Sequence, residues 1–351
     1  MSYSEFVKDI KDDHIASLYV FWGRENYLVE HALKLLKDTV VGEAYEAFNY
    51  IVLDGMEATV DHVLESAETL PLFAERKVVV VKSAPYFQKT KTGLNDKEEE
   101  KFLHYLSSPS ASTVVVFISA GDLDKRRKVY KAAQKSGKIV DFDKMGDVDF
   151  AKWVGKRFKS EGIAMDSATL RYFVESVGYL GKNAEKTLYE VNSEIDKLVH
   201  FTKAEGAITR SHIDTIVEKS FETNIFELLD ALSAGDVKTG LHSVHELLET
   251  GEAPLKIISM ISRQFRMIYK TKALQTEGHS GASIASKLGM PGFVANKNIN
   301  FGRRMTFDQL GVVIADCISY ERMIKTGRMS QEIALETLIV EIIAAIKGPG
   351  R

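Results

Sequence analysis

Residues 18–30 read LYVFWGRENYLVE: five apolar residues, one glycine, a short polar turn and the opening of an amphipathic segment. An apolar strand that runs through glycine into a helix is the arrangement of phosphate-binding loops. The residues of this loop do not fit that use. Counting the G-x-x-x-x-G-K-[ST] spacing from Gly23 places Leu28 at the second glycine, Val29 at the lysine and Glu30 at the metal-holding hydroxyl. The Cβ of Leu28 blocks close backbone approach, Val29 brings no charge to terminal phosphates, and Glu30 repels them. The pattern implies a nucleotide-binding scaffold turned to another task.

Working outward, residues 1–145 alternate short apolar runs with helical patterns, the mark of a parallel sheet covered on both faces. Strands are predicted at 18–23, 50–54, 77–82, 113–119 and 138–142, and helices at 25–41, 59–68, 96–107 and 124–136. Runs such as Val78-Val79-Val80-Val81 and Val114-Val115-Val116-Phe117-Ile118 are apolar at every position. They read as strands buried on both sides of a doubly wound α/β domain. The charged stretch 89–101 reads as an insertion.

Beyond Asp143 the strand signal ends. Helical spacing predicts a three-helix unit at 149–160, 167–177 and 183–201, punctuated by Gly162, Gly178 and Gly206. Further helices are expected at 225–233, 237–249, 254–275, 281–288, 293–300, 306–326 and 331–346, with Ala234-Gly235-Asp236 and Thr250–Pro254 as stops and starts. Three domains are therefore expected: an α/β domain at 1–145 and two all-α domains at 146–210 and 211–351.

Composition narrows the class. The 46 Lys+Arg against 49 Asp+Glu give a formal net charge of -3, so the whole chain is not an obvious polyanion binder, and any nucleic-acid contact must come from a local patch or from partner subunits. The single cysteine, Cys317, excludes an internal disulfide and fits a reducing compartment. The polar start and the lack of a long apolar stretch predict a cytoplasmic protein with no membrane partner. No catalytic or metal constellation is evident. His242 and His245 lack a third ligand, Asp122 and Asp124 read as a strand turn and a helix cap, and Cys317 sits in an apolar helical pattern. Two basic clusters stand out. Lys125, Arg126, Arg127, Lys128 and Lys131, with Tyr130 among them, form either a phosphate-contacting face or a solvated one. Arg263, Arg266, Lys270 and Lys272 are interleaved with Ile257, Ile258, Ile261, Phe265 and Ile268, which favours a packed helix with a polar rim.

An ordered set of segments resembles a known family. These are Gly23-Arg24-Glu25-Asn26, the run from Leu70 to Val79 (LPLFAERKVV), the run from Asp124 to Lys131, Glu194-Ile195-Asp196-Lys197-Leu198, the stretch 254–269 and Ile324-Lys325-Thr326-Gly327. Together they are similar to the delta-subunit family of the bacterial DNA polymerase III clamp loader, and the resemblance spans nearly the whole chain. It implies an AAA+-like α/β domain without a working ATP site, a lid-type three-helix domain and a helical collar. The family binds and opens the ring-shaped β sliding clamp for loading onto primed DNA. Its partners are the tau/gamma and delta-prime subunits, and this member needs no cofactor of its own.

The family inserts an apolar tip into the clamp, and here the tip matches Leu72 and Phe73, flanked by Leu70 and Pro71. Read from the residues alone, the pair either anchors an interface or packs beneath the start of the strand at Val78. Val63 and Leu64, on the preceding helix, are further candidates for clamp contact, and Lys125, Arg126, Arg127 and Lys128 for contact with DNA phosphates. An AAA+ ATPase also needs an acidic pair closing its third strand. This one ends in Lys82-Ser83, and Asp54, on the second strand, reads as a turn former ahead of Gly55. The alternatives are an active ATPase of the same fold and a helical adaptor unrelated to replication.

Overall fold

The computed structural model describes residues 1–89, 94–119, 121–180, 184, 186–203, 207–218, 221–234, 236–249 and 251–347. Gly206, Gly235, Thr250, Asn183 and part of the charged stretch, 90–93, lie outside the described residues. The chain divides into two compact units, Met1–Lys144 and Met145–Arg351.

The first unit contains α1 (Tyr3–Lys11), β1 (Leu18–Trp22), α2 (Asn26–Val40), α3 (Glu46–Asn49), β2 (Tyr50–Asp54), α4 (Val60–Glu68), β3 (Lys77–Ala84), α5 (Asp96–Ser107), β4 (Thr113–Ser119), α6 (Lys128–Ser136) and β5 (Lys138–Asp141). The strands form one sheet in the order β2-β3-β4-β1-β5. Every pairing is parallel, with Val20 opposite Phe117 on one side and Ile139 on the other. The doubly wound α/β expectation holds. Because side chains alternate across a strand, Leu18, Val20, Val79, Val81, Val115 and Phe117 join α4, α5 and α6 in one core. Tyr19 and Phe21 project to the opposite face, where the Phe6 ring meets both edge-on at 5.4 Å.

That last contact belongs to a helix the apolar pattern did not predict. α1 is short, but Ser2 and Glu5 cap it reciprocally, and Phe6 and Ile10, one turn apart, are its buried residues. The Ser2-x-x-Glu5 spacing was the available signal. α3, four residues long, was likewise not predicted. Helix 124–136 is corrected to begin at Lys128. Asp124 does not cap it; the Asp124 carboxylate instead accepts the Arg126 backbone N–H in the preceding turn. β3 runs two residues past its predicted end, with an irregularity between Val81 and Ala84 and Ser83 in the left-handed region.

The second unit is helical: α7 (Asp147–Ser160), α8 (Ser167–Ser176), α9 (Leu188–Phe201), α10 (Arg210–Ile216), α11 (Phe221–Ala234), α12 (Val237–Glu249), α13 (Pro254–Thr276), α14 (Gly281–Leu288), α15 (Gly292–Gly302), α16 (Phe307–Lys325) and α17 (Gln331–Lys347). α10 was not predicted; Thr209 and His212 cap it. Pro254 opens α13 at a position where its missing N–H costs nothing. Ile257, Ile258, Ile261, Phe265 and Ile268 of α13 pack with α11, α12, α16 and α17, and the interleaved basic residues form the expected rim. Among the described residues no helix is long and apolar enough to cross a membrane.

Cys317 is fully buried in this helical core, and its thiol is pushed up to about 12, first by burial and then by Asp316. The thiolate, which is the reactive form, is strongly disfavoured in the folded chain. A thiol reagent at neutral pH is therefore expected to leave Cys317 unmodified until denaturant unfolds the helical unit. Rapid stoichiometric labelling of the native chain would contradict this packing.

Candidate functional site

Two places in the α/β unit merit scrutiny, the loop after β1 and the loop before β3. At the first, Gly23 has φ +128° and lies against the end of β5. Phe142 N donates to Trp22 O at 2.7 Å, and Glu25 N donates to Phe142 O at 2.9 Å. The Glu25 N–H, one of the groups a phosphate cradle turns toward its anion, is thus engaged by the protein itself. Leu28 and Val29 are buried in the first two turns of α2, and Glu30 is exposed. At the end of β2, Asp54 Oδ1 accepts from Met56 N and Gly55 N donates to Lys82 O, so Asp54 is the turn former its position suggests.

The second loop, 69–76, follows α4, which is closed by the Thr69 hydroxyl donating to Glu65 O at 2.6 Å. α4 buries Val60, Val63, Leu64 and Ala67 against the sheet. Val63 and Leu64 are core residues, which corrects their candidacy as partner contacts: neither presents surface to touch. Beyond the helix the pattern reverses. Leu70 is 74% exposed, Leu72 52% and Phe73 85%, with Pro71 half-buried among them. The alternative in which Leu72 and Phe73 lie beneath Val78 is not what the structure shows.

This exposed tip is built. Asn49, the last residue of α3, is wholly buried, and its side-chain amide brackets the backbone of Leu72. Asn49 Oδ1 accepts from Leu72 N at 2.8 Å, while Asn49 Nδ2 donates to Leu72 O at 2.8 Å and to Tyr45 O at 3.3 Å. Phe73 follows with φ +56°, a left-handed conformation uncommon outside glycine. α3 is tied in turn to α2 by Lys37 Nζ on Glu46 at 2.9 Å. That hydrogen bond raises the Lys37 amine above its ordinary value. Asn49 is the residue that reading the sequence missed. A lone asparagine between a short turn and a strand carries no distinguishing pattern.

The basic candidates are dispersed. Arg126 donates from Nε and Nη2 to the Asp124 carboxylate at 3.0 and 3.1 Å, and this pairing holds the acid down to about 2. Arg127 points inward, its Nη1 donating to Gln88 O at 3.1 Å with Glu99 at 3.9 Å. Tyr130 is buried, so it offers no ring for base stacking. Lys125 precedes the helix and Lys128 opens it, and both are exposed. Lys131 is exposed as well, so the basic cluster resolves into three exposed lysines, one arginine paired at the surface and one folded in. His242 and His245 lie 3.5 and 3.2 Å from Glu246 and Glu336, and no metal-competent cluster occurs among the described residues.

A Cβ at residue 23 would stand 2.3 Å from the Phe142 carbonyl carbon and 2.6 Å from Asp143 N, both backbone atoms. Gly23→Ala is expected to destabilise the α/β unit by ~2 kcal/mol or more, read as a lowered urea midpoint. An unchanged midpoint would mean that this junction is not rigid.

The family model described as DNA polymerase III, delta subunit, matches residues 19–143, and a second model, which describes the C-terminal domain of that same delta subunit, matches 222–342. The chain is 28% identical over 345 residues to DNA polymerase III subunit delta of Bacillus subtilis, covering 96% of this chain and 95% of that one. It is 26% identical over 279 residues to the probable DNA polymerase III subunit delta of Aquifex aeolicus, covering 78% and 75%. The solved structure of the Bacillus subtilis DNA clamp loader delta protein superposes with TM-score 0.60 at 26% identity, over 97% of this chain and 99% of that one. Two models of one family match the α/β unit and most of the helical unit, and the Bacillus subtilis relative of that name aligns along nearly the full length; the chain belongs to the DNA polymerase III delta subunit family.

Proposed function

We propose that this chain is the non-catalytic delta subunit of a replicative clamp loader, which grips the β sliding clamp through the tip at Leu70, Pro71, Leu72 and Phe73 and favours its opened state. One observation carries the reading: two adjacent large apolar side chains, 52% and 85% exposed, stand on a loop whose backbone is held from beneath by a buried amide. An aromatic-aliphatic pair on an ordered support is the anatomy of an interface anchor. The absence of intrinsic nucleotide chemistry is supported by the engaged Glu25 N–H, by Leu28 and Val29 in the core, and by Lys82-Ser83 where an acidic pair would be needed.

The remaining assignments follow the family. Residues 146–210 form the lid-type domain, and 211–351 the collar that packs with tau/gamma and delta-prime subunits. The collar carries half-exposed apolar side chains, among them Val312, Ile318, Ile333 and Val340, surface that packing against neighbouring subunits would bury. The complex acts in the cytoplasm on primed DNA, with Lys125 and Lys128 as the exposed candidates for phosphate contact. Free energy comes from neighbouring subunits. A binder shifts an open-closed equilibrium only by its differential affinity for the two states, so the tip anchors the clamp and other surface distorts it.

Titration of the full chain with the sliding clamp of the same bacterium, followed by calorimetry, tests the reading. Leu72→Ala with Phe73→Ala is expected to weaken binding by ~2–4 kcal/mol while the melting temperature stays put, because neither side chain is in the core. A folded wild-type chain that fails to bind would overturn the proposal. A comparable loss of thermal stability would mean that the pair serves the fold.

A further inference from the structure

We infer that Asn49 is the positioning residue of the tip: its buried side-chain amide holds the Leu72 backbone so that Leu72 and Phe73 are presented in their binding geometry before any partner arrives. The inference rests on the clamp-binding reading given above. The geometry is specific. Asn49 is 0% exposed and lies 23 residues from Leu72 in sequence, and it makes two 2.8 Å hydrogen bonds of opposite sense to one residue's N–H and C=O. A planar amide offers a donor and an acceptor side by side, and a carboxylate or a hydroxyl cannot supply both in this arrangement. The second Nδ2 hydrogen has its own acceptor in Tyr45 O, so the side chain has no slack to swing away.

The fold alone does not require this pairing. Leu72 is half exposed, and water could satisfy its backbone groups if the loop were loose. What the amide adds is a fixed direction for the two side chains that leave the surface, reinforced by the left-handed turn at Phe73. A loop ordered in advance does not lose that freedom on docking, which tightens binding without adding a contact.

The test uses the full chain with Asn49→Ala and Asn49→Asp, each also combined with the Leu72/Phe73 double alanine change. Hydrogen-deuterium exchange over 69–76 reads the tip without a partner, calorimetry reads affinity for the sliding clamp, and a thermal melt reads the fold. In folded Asn49→Ala, exchange at 69–76 rises and clamp affinity falls by about tenfold, with no further fall once Leu72 and Phe73 are already alanine. Asn49→Asp behaves the same way, because its carboxylate still accepts from Leu72 N but sets a second acceptor against Leu72 O. Wild-type binding with an undiminished Asn49→Ala affinity, or unchanged exchange at 69–76, overturns the role of Asn49 alone. Loss of the fold in both variants overturns it too, in favour of a purely structural residue. A wild-type chain that does not bind the clamp overturns the clamp reading and this role together.

Discussion

A parallel sheet whose inner strands are buried on both faces is the constraint on which the α/β unit depends. β1 lies between β4 and β5, with Leu18 and Val20 committed to one face and Tyr19 and Phe21 to the other. Each face needs helices over it, or several fully buried aromatic and branched side chains would meet water. α1 exists for this reason: its Phe6 closes the aromatic face against Tyr19, Phe21 and Phe142. From β1 the chain travels to the far edge of the sheet to form β2, then returns strand by strand. That route places α3, α4 and the loop 69–76 beside the edge pair β2 and β3.

In the helical unit the organising element is α13, long enough to bury apolar residues along several turns while keeping its charges at the rim. Its contacts to α15 include a side-chain hydrogen bond from Gln264 Nε2 to the buried Asn298 Oδ1 at 2.6 Å, and Lys272 Nζ donates to Gly302 O at 2.9 Å. Directional bonds at two points along the pair hold α15 to one register against α13, which apolar packing alone would define less sharply. α17 is apolar nearly all round. Its buried side completes the core, and Ile333 and Val340 remain outside.

Much of the fold was legible because it is written in periodicity. Val78 to Val81 and Val114 to Ile118 are short, valine-rich and apolar at each position, which fits a doubly covered strand. Long amphipathic helices such as α13 and α16 announce themselves through spacing and capping residues. What escaped was short or held from a distance. α3 is four residues long and has no periodicity to read. The run Lys125-Arg126-Arg127 looked helical by composition, yet the Asp124 carboxylate draws Arg126 into a turn and Gln88 O takes Arg127 inward. In the loop before β3, resemblance to a family pointed to Leu72 and Phe73, but the hydrogen bonds from Asn49 to the Leu72 backbone join residues remote in sequence. Val63 and Leu64 share the tip's apolar character and lie in the core instead. What separates them is position: Val63 and Leu64 face the sheet from α4, while Leu72 and Phe73 lie on the loop beyond it.

The prominence of the tip has a colloidal consequence. Phe73 is the most exposed large apolar side chain among the described residues, and Leu70, Phe48, Val52 and Met56 are also exposed on α3, β2 and the adjoining loops. β2 is an edge strand, with an open hydrogen-bonding side of its own. Apolar surface next to an unpaired strand edge favours association over solution, so the exposure of these few residues weighs against solubility. Any partner that covered Leu70, Leu72 and Phe73 would remove that exposed apolar surface from water.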